Sequence, residues 1–165
     1  MLNNRGLRTF IYLLAFSNLI FIKIIFAQQL PTFKVIGKVK PAIAILVPTN
    51  TTEDQLKLLI NEFRKARAEN TLARTIPPTT PGGSKGDYFS VWIYVFTEKS
   101  WASTDKLKKF INANMFSKAD IKYSREYAQH IRAEYYFLQG ESEYGTIGYQ
   151  DEDGSYRSKN YKKLF

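Results

Sequence analysis

The chain has 165 residues, with 24 lysines and arginines against 15 aspartates and glutamates, and it contains no cysteine. This length fits a single domain, and the net charge of +9 either favours an anionic partner or simply keeps the protein in solution. The absence of cysteine excludes disulfides, thiolate metal ligands and a cysteine nucleophile.

Residues 1–27 have the layout of a secretory signal. Arg5 and Arg8 form a basic start, an uncharged run reaches Ile22, and Ala27 is the small residue before a cleavage site. Lys23 interrupts the apolar run, which leaves open an uncleaved N-terminal transmembrane anchor over residues 9–27. Both alternatives place the rest of the chain outside the cytoplasm. A cysteine-free exported domain favours a bacterial periplasmic or secreted protein.

The next segments predict a linker, a strand and a helix. Residues 28–40 are a linker that becomes a strand near residues 33–36, and residues 42–47 are an apolar run between two prolines that suits a buried strand. Thr52 and Gln55 fit a capping box at the start of a helix. One face of this helix is apolar, with Leu56, Leu59, Ile60 and Phe63. Residues 72–87 are rich in proline and glycine and predict a long loop.

The stretch from Asp87 to Phe110 predicts a central strand, a turn and the start of a second helix. Alternate strand positions face opposite sides of a sheet. One face is mostly aliphatic, with Phe89, Val91, Ile93 and Val95, and the other is aromatic, with Tyr88, Trp92, Tyr94 and Phe96. Two apolar faces indicate a strand inside a sheet. We expect Ser103 or Thr104 to cap the start of the second helix.

The C-terminal third predicts a hairpin. Residues 119–129 fit either a short third helix or irregular structure, while residues 131–138 and 143–149 alternate as paired strands around a turn at Gly140. The resulting β-α-β-α-β-β order predicts an α+β two-layer sandwich, with both helices on the aliphatic face of a sheet of about four strands. The domain boundaries are then a signal or anchor at 1–27, a linker at 28–40, one α+β domain at 41–150, and a C-terminal turn and tail at 151–165.

A catalytic interpretation depends on His130, the only histidine. Glu126 precedes it by one helical turn and Asp120 is also near in sequence, and a histidine with a carboxylate can act as a general base. One histidine does not supply the usual metal-ligand set, and the chain has no Gly-x-Ser-x-Gly or His-Glu-x-x-His motif. The simpler interpretation is a structural or solvated histidine, so we expect no catalytic residue, no metal and no cofactor.

A binding interpretation depends on tyrosine and arginine. Eight of the 11 tyrosines lie in the last 43 residues, interleaved with arginines. These two residue types dominate binding surfaces, although tyrosine also suits half-buried strands. Lys85 lies in a glycine-rich loop that offers backbone N–H groups to an anion, but the loop lacks the phosphate-loop pattern and is more simply a flexible connector. The candidate binding residues are Trp92, Tyr94, Tyr135, Tyr144, Arg132 and Lys85.

The sequence therefore predicts an exported, non-catalytic binding or interaction module at the bacterial cell envelope, with a basic, tyrosine-rich surface. The alternative is a small envelope hydrolase that uses His130 with a nearby carboxylate. The expected partners are an envelope protein, a cell-wall polymer or anionic lipid headgroups. The export signal argues against nucleic acid, although stacking aromatics beside basic residues also bind single strands. A membrane-spanning contact is expected only if residues 9–27 are retained.

Overall fold

A computed structural model describes residues 29–80, 88–114, 116–151 and 153–165. The predicted signal or anchor at residues 1–27 lies outside the described residues, and so do residues 81–87 of the predicted loop, which include Lys85.

The described chain forms a single mixed sheet with helices packed on it, which confirms the α+β class. Its elements are β1 (Lys34–Val39), β2 (Ala42–Leu46), α1 (Glu53–Ala68), a short 3-10 helix (Leu72–Arg74), β3 (Ser90–Phe96), α2 (Thr104–Ile111), α3 (Lys118–Gln129), β4 (Ala133–Leu138), β5 (Ser142–Ile147) and β6 (Lys162–Lys163). The strands lie in the order β1-β2-β3-β4-β5-β6. Only β2 and β3 are parallel, and every other described pair is antiparallel.

Helix α1 begins at the predicted capping box. The Gln55 N–H donates to Thr52 Oγ1 at 3.2 Å, and the Thr52 N–H donates to Gln55 Oε1 at 2.9 Å. These two bonds satisfy backbone groups that the first turn of a helix otherwise leaves unpaired. The predicted apolar face is buried, so both the start and the orientation of α1 are confirmed.

The helices lie on both faces of the sheet, which corrects the prediction of a two-layer sandwich. Helix α1 packs on the aliphatic face of β3, where Val91, Ile93 and Val95 are fully buried. Helices α2 and α3 pack on the opposite face, over Tyr94 and Phe96. The right-handed crossover rule applies to parallel strands and so constrains α1, which connects β2 to β3. It does not constrain α2 and α3, because β3 and β4 are antiparallel neighbours.

The sheet also has more strands than the four predicted. Strand β1 lies within the predicted linker and pairs with β2, and β6 lies within the predicted tail and pairs with β5. Strand β3 begins only at Ser90, so the expected alternation does not extend back to residue 88. Tyr88 is buried in the core beneath α1, where its hydroxyl donates to the Ile76 carbonyl, while Phe89 is 52% exposed.

The described chain contains no helix with the length and apolar character needed to span a membrane.

Candidate functional site

An open cleft of about 770 Å³ lies on the sheet face that α2 and α3 only partly cover. Strands β3, β4 and β5 form its floor, the facing sides of α2 and α3 form one wall, and the C-terminal segment from Tyr149 to Lys163 forms the other. Small-molecule sites in proteins usually measure roughly 300–1,000 Å³. The cleft therefore has the size of a ligand site.

The outer part of the floor is a row of three aromatic side chains. Trp92, Tyr136 and Tyr144 are direct partners in the register of β3, β4 and β5. The ring centroids of Trp92 and Tyr136 are 5.6 Å apart, and those of Tyr136 and Tyr144 are 4.7 Å apart with nearly parallel planes. Because stacking covers one face of each tyrosine ring, the pair offers mainly ring edges and hydroxyl groups to the cleft. We call these three residues the aromatic row.

The inner part of the floor is a polar row formed by Tyr94, Glu134 and Thr146, which are also register partners. Each side chain is at most 4% exposed. The Tyr144 hydroxyl donates to Glu134 Oε1 at 3.2 Å. Burial raises the pKa of Tyr94 and of Tyr144 above the ordinary tyrosine value, and the negative charge of Glu134 raises both further. These tyrosines therefore remain protonated hydrogen-bond donors beside a buried carboxyl group.

The C-terminal wall is a hydrogen-bonded loop. Asp151 accepts from the Ser155 hydroxyl at 2.7 Å and from the Tyr156 N–H at 2.9 Å. The Tyr149 N–H donates to Ser158 Oγ at 2.8 Å, and Ser158 is itself buried. This segment, which the sequence predicted as a turn followed by an edge strand or a tail, therefore brings defined polar groups to the mouth of the cleft.

Two groups that line the cleft have no hydrogen-bond partner within the described ranges. They are the indole Nε1 of Trp92 and the hydroxyl of Ser124, and both atoms are buried. A buried donor left without a partner costs about 1–3 kcal/mol. A ligand oxygen that reached Trp92 Nε1 would therefore remove the cost of leaving this donor unpaired, and this gain would favour binding.

Three of the predicted binding residues come together in this cleft: Trp92, Tyr94 and Tyr144. The half-buried Arg132 does not line the cleft; its backbone N–H donates to the Val95 carbonyl. Lys85 lies outside the described residues.

Tyr135 lies on the opposite face of the sheet, beneath α1. Its ring centroid is 6.2 Å from that of Phe63, and its hydroxyl donates to Glu143 Oε1 at 2.8 Å. Glu143 also accepts two bonds from the Arg67 guanidinium, at 3.1 and 2.7 Å. Tyr135 does not line the cleft and belongs instead to this structural network. Burial raises its pKa, and the hydrogen bond to Glu143 raises it further, so the hydroxyl remains protonated.

His130 also lies apart from the cleft, at the C-terminal end of α3. Its ring stacks on Trp101 with centroids 3.9 Å apart, and its Nδ1 lies 3.1 Å from Glu98 Oε1. The Lys106 ammonium is 3.4 Å from the Trp101 centroid, so His130 and Lys106 occupy opposite faces of the indole. His130 therefore has a carboxylate neighbour, although not one that the sequence indicated.

The two carboxylates predicted to assist His130 take other positions. Asp120, in the first turn of α3, accepts a hydrogen bond from the backbone N–H of Asn114, which precedes the helix, at 3.2 Å. Glu126 is exposed on α3, and its charge contributes to the raised pKa of Tyr123, behind the larger effect of burial. Neither residue is recorded as a partner of His130 within the described chain.

The sequence interpretation missed Glu134 and Asp151. Glu134 is the one charged residue in the otherwise apolar strand Ala133–Leu138, and an acid in a buried strand is a signal of a polar site. Asp151 carried no such signal, because aspartate is ordinary in a turn. Its role at the cleft depends on how the C-terminal segment folds back.

Within the described ranges, no group of three or more histidines, aspartates or glutamates is placed to hold a metal ion. No family model, curated protein or solved structure matches the chain. Function is therefore inferred from the chemistry of the cleft.

Proposed function

We propose that the protein is an exported, non-catalytic binding module of the bacterial cell envelope, and that its ligand lies in the cleft against the aromatic row. The observation that carries this proposal is the open cleft of about 770 Å³, which joins an aromatic row to a buried carboxyl group. Export rests on the signal predicted at residues 1–27, and the basic net charge suits an envelope environment.

The chemistry of the cleft favours a polymer rich in hydroxyl and amide groups. Glu134, Asp151 and Asp153 bring three acidic side chains to the lining, against Arg125 and Lys163. This balance suits a ligand that donates hydrogen bonds to carboxylates and disfavours an anionic headgroup. In return, the hydroxyl of Tyr136, which lines the cleft, can donate to a hydroxyl or carbonyl oxygen of the ligand. Among the expected envelope partners, a neutral segment of a cell-wall glycan matches these groups best.

Tryptophan fluorescence tests the proposal directly, because the chain has only two tryptophans. In a Trp101→Phe background, Trp92 alone reports on the cleft. We expect a saturable change in its emission with oligomers of N-acetylglucosamine, and weaker binding by about tenfold or more in Tyr136→Ala, which removes the middle ring of the aromatic row.

The matched control is Phe89→Ala, which removes an exposed aromatic side chain that does not line the cleft. It should bind as the parent does. If neither the glycan oligomers nor isolated cell walls change Trp92 emission, the proposed function is wrong.

A small envelope hydrolase is the second candidate, and the contact between His130 and Glu98 favours it. It is the weaker candidate because neither residue lines the cleft where a substrate would bind. Incubation of cell walls with the protein, followed by assay of released reducing ends, tests this activity. Turnover that disappears in both His130→Ala and Glu98→Gln would replace the binding proposal with the hydrolase.

A further inference from the structure

Phe116 projects from the loop between α2 and α3 and is 96% exposed. The next most exposed large apolar side chain of the described chain, Phe89, is only 52% exposed. Single exposed apolar residues are common on protein surfaces. A fully exposed aromatic side chain is much less common, because burying such a side chain is strongly favourable.

The described residues on either side of position 115 make a set of local hydrogen bonds. The Phe116 N–H donates to Asn114 Oδ1 at 2.9 Å, and the Ser117 N–H donates to the Asn114 carbonyl at 2.9 Å. The Asn114 N–H donates to Asp120 Oδ2 at 3.2 Å, and the Asp120 N–H donates to Ser117 Oγ at 3.3 Å. These bonds join Asn114, Phe116 and Ser117 to the start of α3, while the Phe116 side chain stays exposed.

Exposed lysines lie near the ends of the two helices that this loop joins. Lys108 and Lys109 lie in the last turn of α2, while Lys118 and Lys122 lie in the first two turns of α3, and all four are exposed. The Lys109 ammonium is 4.1 Å from the centroid of Tyr123 on α3, so Lys109 packs against the neighbouring helix. Lys108 and Lys109 line a shallow surface pocket together with Asp105 and Asp120. We call Phe116 and these four lysines the basic tip.

We propose that the basic tip docks onto an anionic membrane surface, with Phe116 inserted at the boundary between headgroups and acyl chains. Aromatic side chains favour this boundary. Each lysine held near an anionic surface raises the partition coefficient by about fivefold, and the effect is screened by salt. Asp105 and Asp120 offset about two of these four charges, so the net attraction raises the partition coefficient by about 25-fold. One inserted ring then orients the contact.

A membrane fits this tip better than a protein groove does. Protein interfaces are depleted in lysine and bury roughly 800 Å² on each partner. The basic tip instead offers one projecting ring and exposed lysines on the two adjoining helices, which suits a peripheral membrane contact. The site is separate from the cleft ligand, because neither Phe116 nor any of the four lysines lines the cleft.

A Phe116→Trp variant of the full chain tests insertion at this position. Its emission, taken as the difference from the parent, should shift to the blue with vesicles of phosphatidylcholine and phosphatidylglycerol and should be quenched by brominated acyl chains. Vesicles of phosphatidylcholine alone should give a much smaller change. Using the full chain in every sample keeps any membrane affinity of residues 1–27 constant between variants.

Vesicle sedimentation then separates the contributions of the tip. Phe116→Ala should weaken binding to the anionic vesicles by about fivefold to tenfold, and Lys118→Gln with Lys122→Gln by about 25-fold at low salt. Phe89→Ala is the matched control and should bind as the parent does, since its exposed ring lies outside the tip.

Two results would overturn the proposal. One is vesicle binding that is unchanged by Phe116→Ala and by the paired lysine substitutions, since the contact would then lie elsewhere. The other is shielding of the Phe116→Trp side chain by envelope proteins in the absence of lipid, which would assign the tip to a protein partner instead.

Discussion

Tyr135→Phe should lower the free energy of unfolding by about 1–2 kcal/mol. Tyr135 is fully buried, and its hydroxyl donates to the Glu143 carboxylate. A hydrogen bond to a charged group contributes about 1.5–3 kcal/mol to stability. Part of this contribution survives the substitution, because Glu143 keeps both bonds from Arg67 and its side chain is 19% exposed to water. Phenylalanine fills the same space, so no cavity adds to the loss.

A double-mutant cycle isolates this interaction from other effects of the two substitutions. Glu143→Gln keeps the shape of the side chain but removes the charge that Tyr135 and Arg67 share. Because the two residues are in direct contact, we expect their effects to be non-additive by about 1 kcal/mol. Urea unfolding followed by circular dichroism gives each free energy by linear extrapolation.

Tyr136→Phe is the control, since this neighbouring tyrosine points to the cleft and is only half-buried. It should change stability by less than about 0.5 kcal/mol. Ligand binding by Tyr135→Phe should equal that of the parent. The structural role assigned to Tyr135 is wrong if its substitution changes stability by less than about 0.3 kcal/mol, or if the two substitutions are strictly additive.

Three further predictions concern pH, packing and capping. Stability should fall as the pH rises above about 10, because unfolded tyrosines ionise there while burial raises the folded-state pKa values. The tyrosines concerned are Tyr94, Tyr127, Tyr135 and Tyr144. Their contribution is intact below pH 10 and is lost above it, by up to about 1.4 kcal/mol per pH unit for each tyrosine. Phenolate absorbance should therefore rise in a second step that coincides with unfolding, as these four buried tyrosines become accessible. Gly145→Ala should destabilise by about 1–3 kcal/mol in thermal melts, since a Cβ would lie 2.7 Å from Phe165 Cζ and would also meet Ile60; an unchanged melting temperature would contradict this close approach of α1 to β5. Thr52→Ala should cost about 1 kcal/mol in urea unfolding through the lost cap, whereas Thr52→Ser should cost much less.

Local signals in the sequence were sufficient for α1. The capping residues and the apolar face all lie within one segment, and both patterns predict a helix whatever the rest of the chain does. The alternation in β3 was equally local, and it placed Val91 and Trp92 on opposite faces as the structure does. In both cases the backbone period alone decides the outcome.

Contacts distant in sequence decided what the local patterns left open. Tyr135 and Tyr136 are adjacent, so one of them had to face each side of the sheet, but only the pairing of β4 with β3 assigns Tyr136 to the cleft. The position of α2 and α3 depended in the same way on the antiparallel partner of β3. The cleft itself requires the C-terminal segment to return across the sheet, and no local pattern encodes that path.

The pairing of β3 has a consequence for how the chain folds. Strands β1 and β2 form one hairpin, and β4 and β5 form another, each from segments adjacent in sequence. Strand β3 pairs with one member of each hairpin, and a helical segment separates it from both. The hairpins are thus low in contact order, whereas the insertion of β3 closes two long loops and carries most of the entropic barrier. We therefore expect substitutions at Val91, Ile93 and Val95 to slow refolding, and substitutions at the hairpin turns to act mainly on the unfolding rate.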